Sequence, residues 1–257
     1  RDENGKPYSQ TYLKAINNQL TAMFNYAVKY YDLHENPCTK AGSMGKSHAE
    51  EMNFWTKAEF EQFIVAVQDK PASYTAFMTL YYTGMRVGEL CALTPADVDL
   101  VGHTITINKT FQRINGRDVI WPPKTPKSNR VVTIPQTLAN CLKEYMDKCY
   151  EIQPDDRLFP YTKSFLNHEM LRGCKKSGVK KIRVHDLRHS HASLLIEMGC
   201  QPLLIADRLG HEKIQTTLNT YSHLYPNKQA EVAAQLENVM NGTTVPNGSQ
   251  MAGVANL

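Results

Sequence analysis

The stretch His185–Gly199, HDLRHSHASLLIEMG, places three histidines and an arginine on the first two turns of an apolar run. Leu187, His191, Leu194, Leu195 and Met198 recur at helical spacing and Gly199 is a natural stop, so the pattern predicts a helix opening near His185. His185 and Arg188 stand three apart at its start, facing roughly the same way. A helix N-terminus beside a guanidinium suits an anion, phosphate above all. His185 and His189, four apart, also have the spacing of a metal pair, but no Glu follows in H-E-x-x-H fashion and no third ligand is evident. His191 falls on the apolar stripe, where a satisfied core histidine is the simpler reading.

Outward from that helix the chain reads as helix-rich with one β insert. Tyr12, Ile16, Leu20, Met23, Ala27 and Tyr31 mark one face of a long helix over 9–33, which Asn36-Pro37 is expected to end. Residues 39–47, TKAGSMGKS, read as a linker, and the domain boundary is placed there. Thr56 and Glu59 form a capping box for a helix that Pro71 closes, followed by helical pieces over 74–82 and 87–93 that Gly84 separates. The alternation in HTITINKTFQ (103–112), the Asn115-Gly116 turn, RDVIW (117–121) and RVVTIP (130–135) predict a small antiparallel three-stranded sheet. Residues 136–152 and 163–224 read as helical, broken near Gly178, Gly199 and Gly210. The fold class expected is therefore mainly α with that small sheet, an α+β arrangement.

Composition narrows the function classes. A chain of 257 residues can hold one large domain and a smaller module. No apolar run approaches the ~18 residues of a membrane span, no signal segment opens the chain, and the six cysteines include no C-x-x-C pair. These features predict a cytoplasmic protein with reduced thiols, no membrane association and no metal site. The chain begins at Arg1 and reads as part of a longer protein. Its net charge of +4 permits a polyanionic partner without demanding one.

Distribution says more. Lys109, Arg113, Arg117, Lys124, Lys127 and Arg130 stand in one run with a single acid, and Arg172, Lys175, Lys176, Lys180, Lys181 and Arg183 in another with none. Such runs are commonly solvated faces, but two of them bracketing a phosphate site read as DNA-backbone contacts. On the first helix, Tyr12, Lys14, Asn17, Asn18 and Gln19 offer polar groups for a groove.

Partners for H-x-x-R stand elsewhere. TGMRVGEL (83–90) sets Arg86 just after a Gly break with Glu89 three residues on, which taken alone would be a surface ion pair. His211 directly follows Gly210, and Tyr221 lies ten residues later. T-G-M-R-V-G-E-L, a K-T element between strands, H-D-L-R-H, L-G-H and T-Y-S-H, in that order within about 140 residues, resemble the catalytic set of the tyrosine recombinase (phage integrase) family, and the layout is most similar to integrases of conjugative transposons.

The resemblance implies a catalytic domain over 51–231, a partial helical core-binding module over 1–46 and a tail, 232–257, whose helix packs on a neighbouring subunit before a flexible end. By the same resemblance Arg86 and Arg188 clamp the scissile phosphate, His185 and His211 donate further hydrogen bonds, Tyr221 is the nucleophile and Glu89 supports Arg86. Lys124 matches the lysine that protonates the leaving 5′ oxygen, with Lys127 in the same turn as the alternative. The implied partners are double-stranded DNA, three further copies in a tetrameric synapse, and an excisionase or DNA-bending protein. No cofactor, metal or ATP is implied. Alternative readings are a chromosome-dimer resolvase or phage integrase of the same family, a catalytically silent DNA-binding regulator, and a metal-dependent hydrolase using the histidines.

Overall fold

The computed structural model describes residues 5–46, 52–123 and 125–225, with Glu237 and Met240. Lys124 and the rest of 232–257 therefore lie outside the described residues. The chain divides into two units, Arg1–Asn53 and Phe54–Leu257. None of the described helices is long and apolar enough to cross a membrane.

In the first unit, α1 (Gln10–Tyr30) starts where Ser9 caps the amide of Tyr12 at 3.2 Å. Asn36-Pro37 does not simply end it: Asn36 caps a second helix, α2 (Pro37–Ala41), and its side-chain amide donates to Thr21 O (3.1 Å) and Asn25 Oδ1 (2.7 Å). Proline suits this place because the first helical position has no N–H to satisfy. The described part of the expected linker packs on α1 at Gly45, where an added Cβ would sit 2.1 Å from Gln10 O. Asn17, expected to face a DNA groove, is instead buried and accepts from the amide of Met44 at 3.2 Å.

The second unit opens with Trp55, whose indole donates to Lys180 O and whose amide donates to Ser190 Oγ. The Thr56–Glu59 capping box starts α3 (Lys57–Ala66) as expected. Pro71 does not close α3; it occupies the first turn of α4 (Pro71–Thr83). Phe60 stacks on Tyr81 at 3.6 Å between ring centres and Phe63 meets Phe77 edge-on, so α3 and α4 share an aromatic core. The helix α7 (Lys163–Ser177) closes over them through Gly173, where a Cβ would lie 2.3 Å from Phe63.

The β insert departs from expectation. A three-stranded antiparallel sheet exists, but its strands are β1 (Val98–Asp99), β2 (Thr104–Ile107) and β5 (Arg130–Thr133), in that order. β3 (Thr110–Ile114) and β4 (Arg117–Trp121) form a separate two-stranded hairpin. The run read as one strand breaks at Asn108-Lys109, where Lys109 Nζ is drawn to the buried Asp97 at 2.7 Å. The other α-helices with described bounds are α5 (Val87–Leu90), α6 (Gln136–Asp147), α8 (Leu187–Glu197), α9 (Pro202–Leu209) and α10 (Ile214–Tyr221).

Candidate active site

Two glycines set the site's turns. Gly84 ends α4 with φ +65° and Gly210 ends α9 with φ +68°, a left-handed backbone that glycine adopts without strain. Gly84 also lacks room for a side chain, since a Cβ would lie 2.6 Å from the ring of His191. Each glycine is followed closely by a candidate site residue, Arg86 at the start of α5 and His211 after α9.

Arg188 on α8 ties these turns together. Its Nη1 donates to Gly84 O at 2.8 Å and its Nη2 to Leu209 O at 2.6 Å, and it is only 4 % exposed. The buried His191 supports the same corner: its Nε2 accepts from Arg208 Nε at 3.1 Å, while Arg208 also donates to Tyr82 O and Thr133 O. His191 is thus buried in the core with its Nε2 bonded, and burial beside Arg208 pushes its pKa down to about 3, leaving it neutral.

Glu89 is the counter-charge. Its buried carboxylate accepts from the Arg86 amide, from Arg86 Nη1 and from Arg130 Nη2, each at 2.8 Å. Burial alone would raise its pKa, yet the hydrogen bonds and positive charge of Arg130 and Arg86 hold it below the ordinary carboxylate value. Glu89→Gln leaves two guanidiniums without their anion, so we expect a loss of about 3 kcal/mol at neutral pH. The native carboxylate, with its folded pKa depressed, contributes stability that is present above the unfolded value of about 4.3 and lost as pH falls through the folded value. Thermal melts from pH 7 to pH 3 should therefore show the gap between wild type and Glu89→Gln closing with acid; a gap constant with pH would mean that the charge is not what matters.

Arg86, Glu89, Lys109, His185 and His211 line one groove of about 850 Å³, with Gln112, Lys163, Asn167 and Arg183 around them. His211 is fixed by Thr217 Oγ1, 2.7 Å from its Nδ1. Burial, then Arg188 and Arg86, press its pKa to about 4, and His185 is lowered by burial and Arg188. Both rings are neutral near pH 7 and can each donate one N–H to an anion. Tyr221, at the end of α10, is 1 % exposed, with its hydroxyl 2.8 Å from His189 Nδ1. Burial pushes its pKa up to about 12, against the opposing pull of Arg188.

With this geometry in place, the family model described as the phage integrase family matches residues 53–228. The chain belongs to the phage integrase family. Among its relatives, the ICEBs1 integrase of Bacillus subtilis (strain 168) is 33 % identical over 244 residues, covering 88 % of this chain and 66 % of that protein. The integrase of Staphylococcus phage L54a is 30 % identical over 274 residues, covering 93 % and 77 %. This chain thus spans about two-thirds of the ICEBs1 relative's length. The fold of a Tn1549 transposon integrase, solved in complex with a circular intermediate DNA, superposes with a TM-score of 0.72 at 23 % identity over 92 % of this chain and 81 % of that one.

In this phage integrase domain the basic residues expected at DNA divide into several groups. Arg130 is not a surface cation: its side chain is 6 % exposed, held by Glu89 and by Arg208 O at 2.9 Å, and it braces the site from beneath. Lys109 lines the groove while paired to Asp97. Arg113 lies on the hairpin beside Asp118, and Lys127 is exposed in the turn Pro126–Ser128. Lys175, Lys176, Lys180 and Lys181 are exposed at the end of α7 and beyond, outside the groove lining, with Lys176 near Asp69 and Lys180 near Glu59. Sequence reasoning missed Gln112, Lys163 and Asn167 as lining residues. It weighed His189 only as half of a metal pair.

Proposed function

We propose that this chain is the catalytic part of a conjugative-transposon integrase, a tyrosine recombinase that cuts and rejoins duplex DNA one strand at a time. The observation that carries this reading is the convergence of Arg86, His185 and His211 on one groove, with Arg188 and Tyr221 buried alongside, in a phage integrase domain. The names of the ICEBs1 and Tn1549 relatives, and the DNA bound in the latter's structure, support the element and the substrate.

In the proposed reaction Tyr221 Oη attacks the scissile phosphorus in line, forming a 3′-phosphotyrosine and releasing a 5′ hydroxyl. Negative charge grows on the equatorial oxygens, where guanidiniums and imidazole N–H groups are already fixed as donors. Side-chain cations supply this stabilisation, so the reaction is expected to need neither metal nor ATP, and the phosphotyrosine retains the energy for rejoining. Lys124 is assigned the proton for the leaving oxygen. Exchange between two such sites passes through a Holliday junction within a tetramer, with accessory proteins setting direction, and the first unit is assigned to DNA binding as part of a core-binding module.

The test is to incubate the protein in EDTA with a nicked duplex carrying the element's end and to run the products on a denaturing gel. A slow band whose DNA-linked peptide contains Tyr221 is expected. Cleavage that appears only when a divalent metal is added would overturn the proposal.

A further inference from the structure

The roles given to Arg86, Arg188, His185 and His211 leave the phenolic proton of Tyr221 without a destination. With Tyr221 1 % exposed, bulk water is excluded from the ring. Among the described residues one side chain hydrogen-bonds the hydroxyl: His189, whose Nδ1 lies 2.8 Å away, within direct proton-transfer distance. The other two imidazoles are differently placed. His211 Nδ1 is engaged by Thr217, and His185 lines the groove with its ring edge-on to His189, 5.8 Å between centres.

We propose that His189 is the proton acceptor for Tyr221 during strand cleavage, and the proton donor to it during rejoining. This rests on the recombinase reading above. With the ring proton on Nε2, Nδ1 accepts from the hydroxyl. As the Oη–P bond forms and the P–O5′ bond breaks, the proton passes from Oη to Nδ1, giving an imidazolium, while the leaving 5′ oxygen takes its proton from a separate donor. In rejoining, the 5′ hydroxyl gives its proton back to that separate donor as it attacks phosphorus, the P–Oη bond breaks, and the imidazolium returns its proton to Oη.

The surroundings fit a base that is neutral at rest. Burial, then the neighbouring ring of His185 and the charges of Arg183 and Arg188, press the His189 pKa to about 4, with Asp186 opposing them. A bound phosphodiester adds negative charge on the same side, which raises the proton affinity of the ring when the tyrosine must release its proton. The metal-pair alternative needs Nδ1 or Nε2 free for a cation and a third ligand; among the described residues no group of three His, Cys, Asp or Glu is placed to hold one.

The test compares His189→Gln, whose amide oxygen can accept a hydrogen bond but cannot take up a proton, with wild type on two nicked duplexes. One is natural; the other carries sulfur in place of the bridging 5′ oxygen, so its leaving group needs no proton. His189→Gln is expected to bind DNA normally and cleave both substrates about 10²-fold more slowly than wild type, the range lost with a general base. Single-turnover cleavage within about threefold of wild type would overturn the proposal, as would full restoration by the sulfur substrate, because either result removes the proton from Tyr221's side of the reaction. If His189→Gln fails to fold, His189→Ala with added imidazole replaces it: saturable rescue supports the role, and no rescue in a folded, DNA-binding protein overturns it. Absence of adduct from wild type itself would strike the recombinase reading instead.

Discussion

Tyr221→Phe is expected to bind the element's DNA within about twofold of wild type and to form no covalent adduct, a fall in cleavage of at least about 10⁴-fold, as when a nucleophile is deleted. The substitution removes one oxygen and leaves the ring in its buried place at the end of α10. Its structural cost is one hydrogen bond to His189, about 1 kcal/mol, part of which is returned because a buried hydroxyl no longer has to be desolvated. Gel-shift titration beside a denaturing gel separates the two effects. A Phe protein that still trapped DNA would place the nucleophile elsewhere, and the recombinase reading would lose its central residue.

Arg188→Ala is the second large effect. A guanidinium fixed beside a transferring phosphoryl group is worth about 10³–10⁵ in rate, and we expect a loss in that range in single-turnover cleavage. The same change orphans the carbonyls of Gly84 and Leu209, each costing about 1–3 kcal/mol, while it relieves the burial of a charge that is also repelled by Arg86. These oppose each other, so melting should shift by much less than the activity. Arg188→Lys is the sharper probe. A single ammonium cannot span both carbonyls as the planar fork does, so charge without geometry should recover at most about tenfold of the lost rate. Near-complete recovery by lysine would mean that only the charge is needed and that the tie between the two turns is incidental.

Much of this site was legible because its residues stand next to strong local signals. Arg86 and His211 each follow a helix-ending glycine closely and His185 and Arg188 straddle a helix start, but it was the ordered set of motifs resembling the family, not these local signals alone, that joined them into one candidate site. What local signals could not supply was partnership across the chain. Arg130 counted as one more cation in a basic run, whereas Glu89, 41 residues earlier, takes it into the interior. His189 looked like a partner for His185 four residues away, but its hydrogen bond goes to Tyr221, 32 residues on. The β insert failed for a related reason: alternation predicts strands but not which strands pair, and the Lys109–Asp97 bond splits the first run between two sheets. The prolines misled by ambiguity, since a proline can follow a helix or open one, and Pro37 and Pro71 both open one.

The grip of Arg188 on two main-chain carbonyls bears on how this groove could be rebuilt. Those oxygens belong to the backbone, so no exchange of neighbouring side chains deletes them. The side chains of Gln112, Lys163 and Asn167 line the groove and share no hydrogen bond with Arg86, Arg188 or Tyr221. If the proposed function holds, a library randomised at these three positions is expected to change the lining of the groove while the tie of Arg188 to the two turns stays assembled.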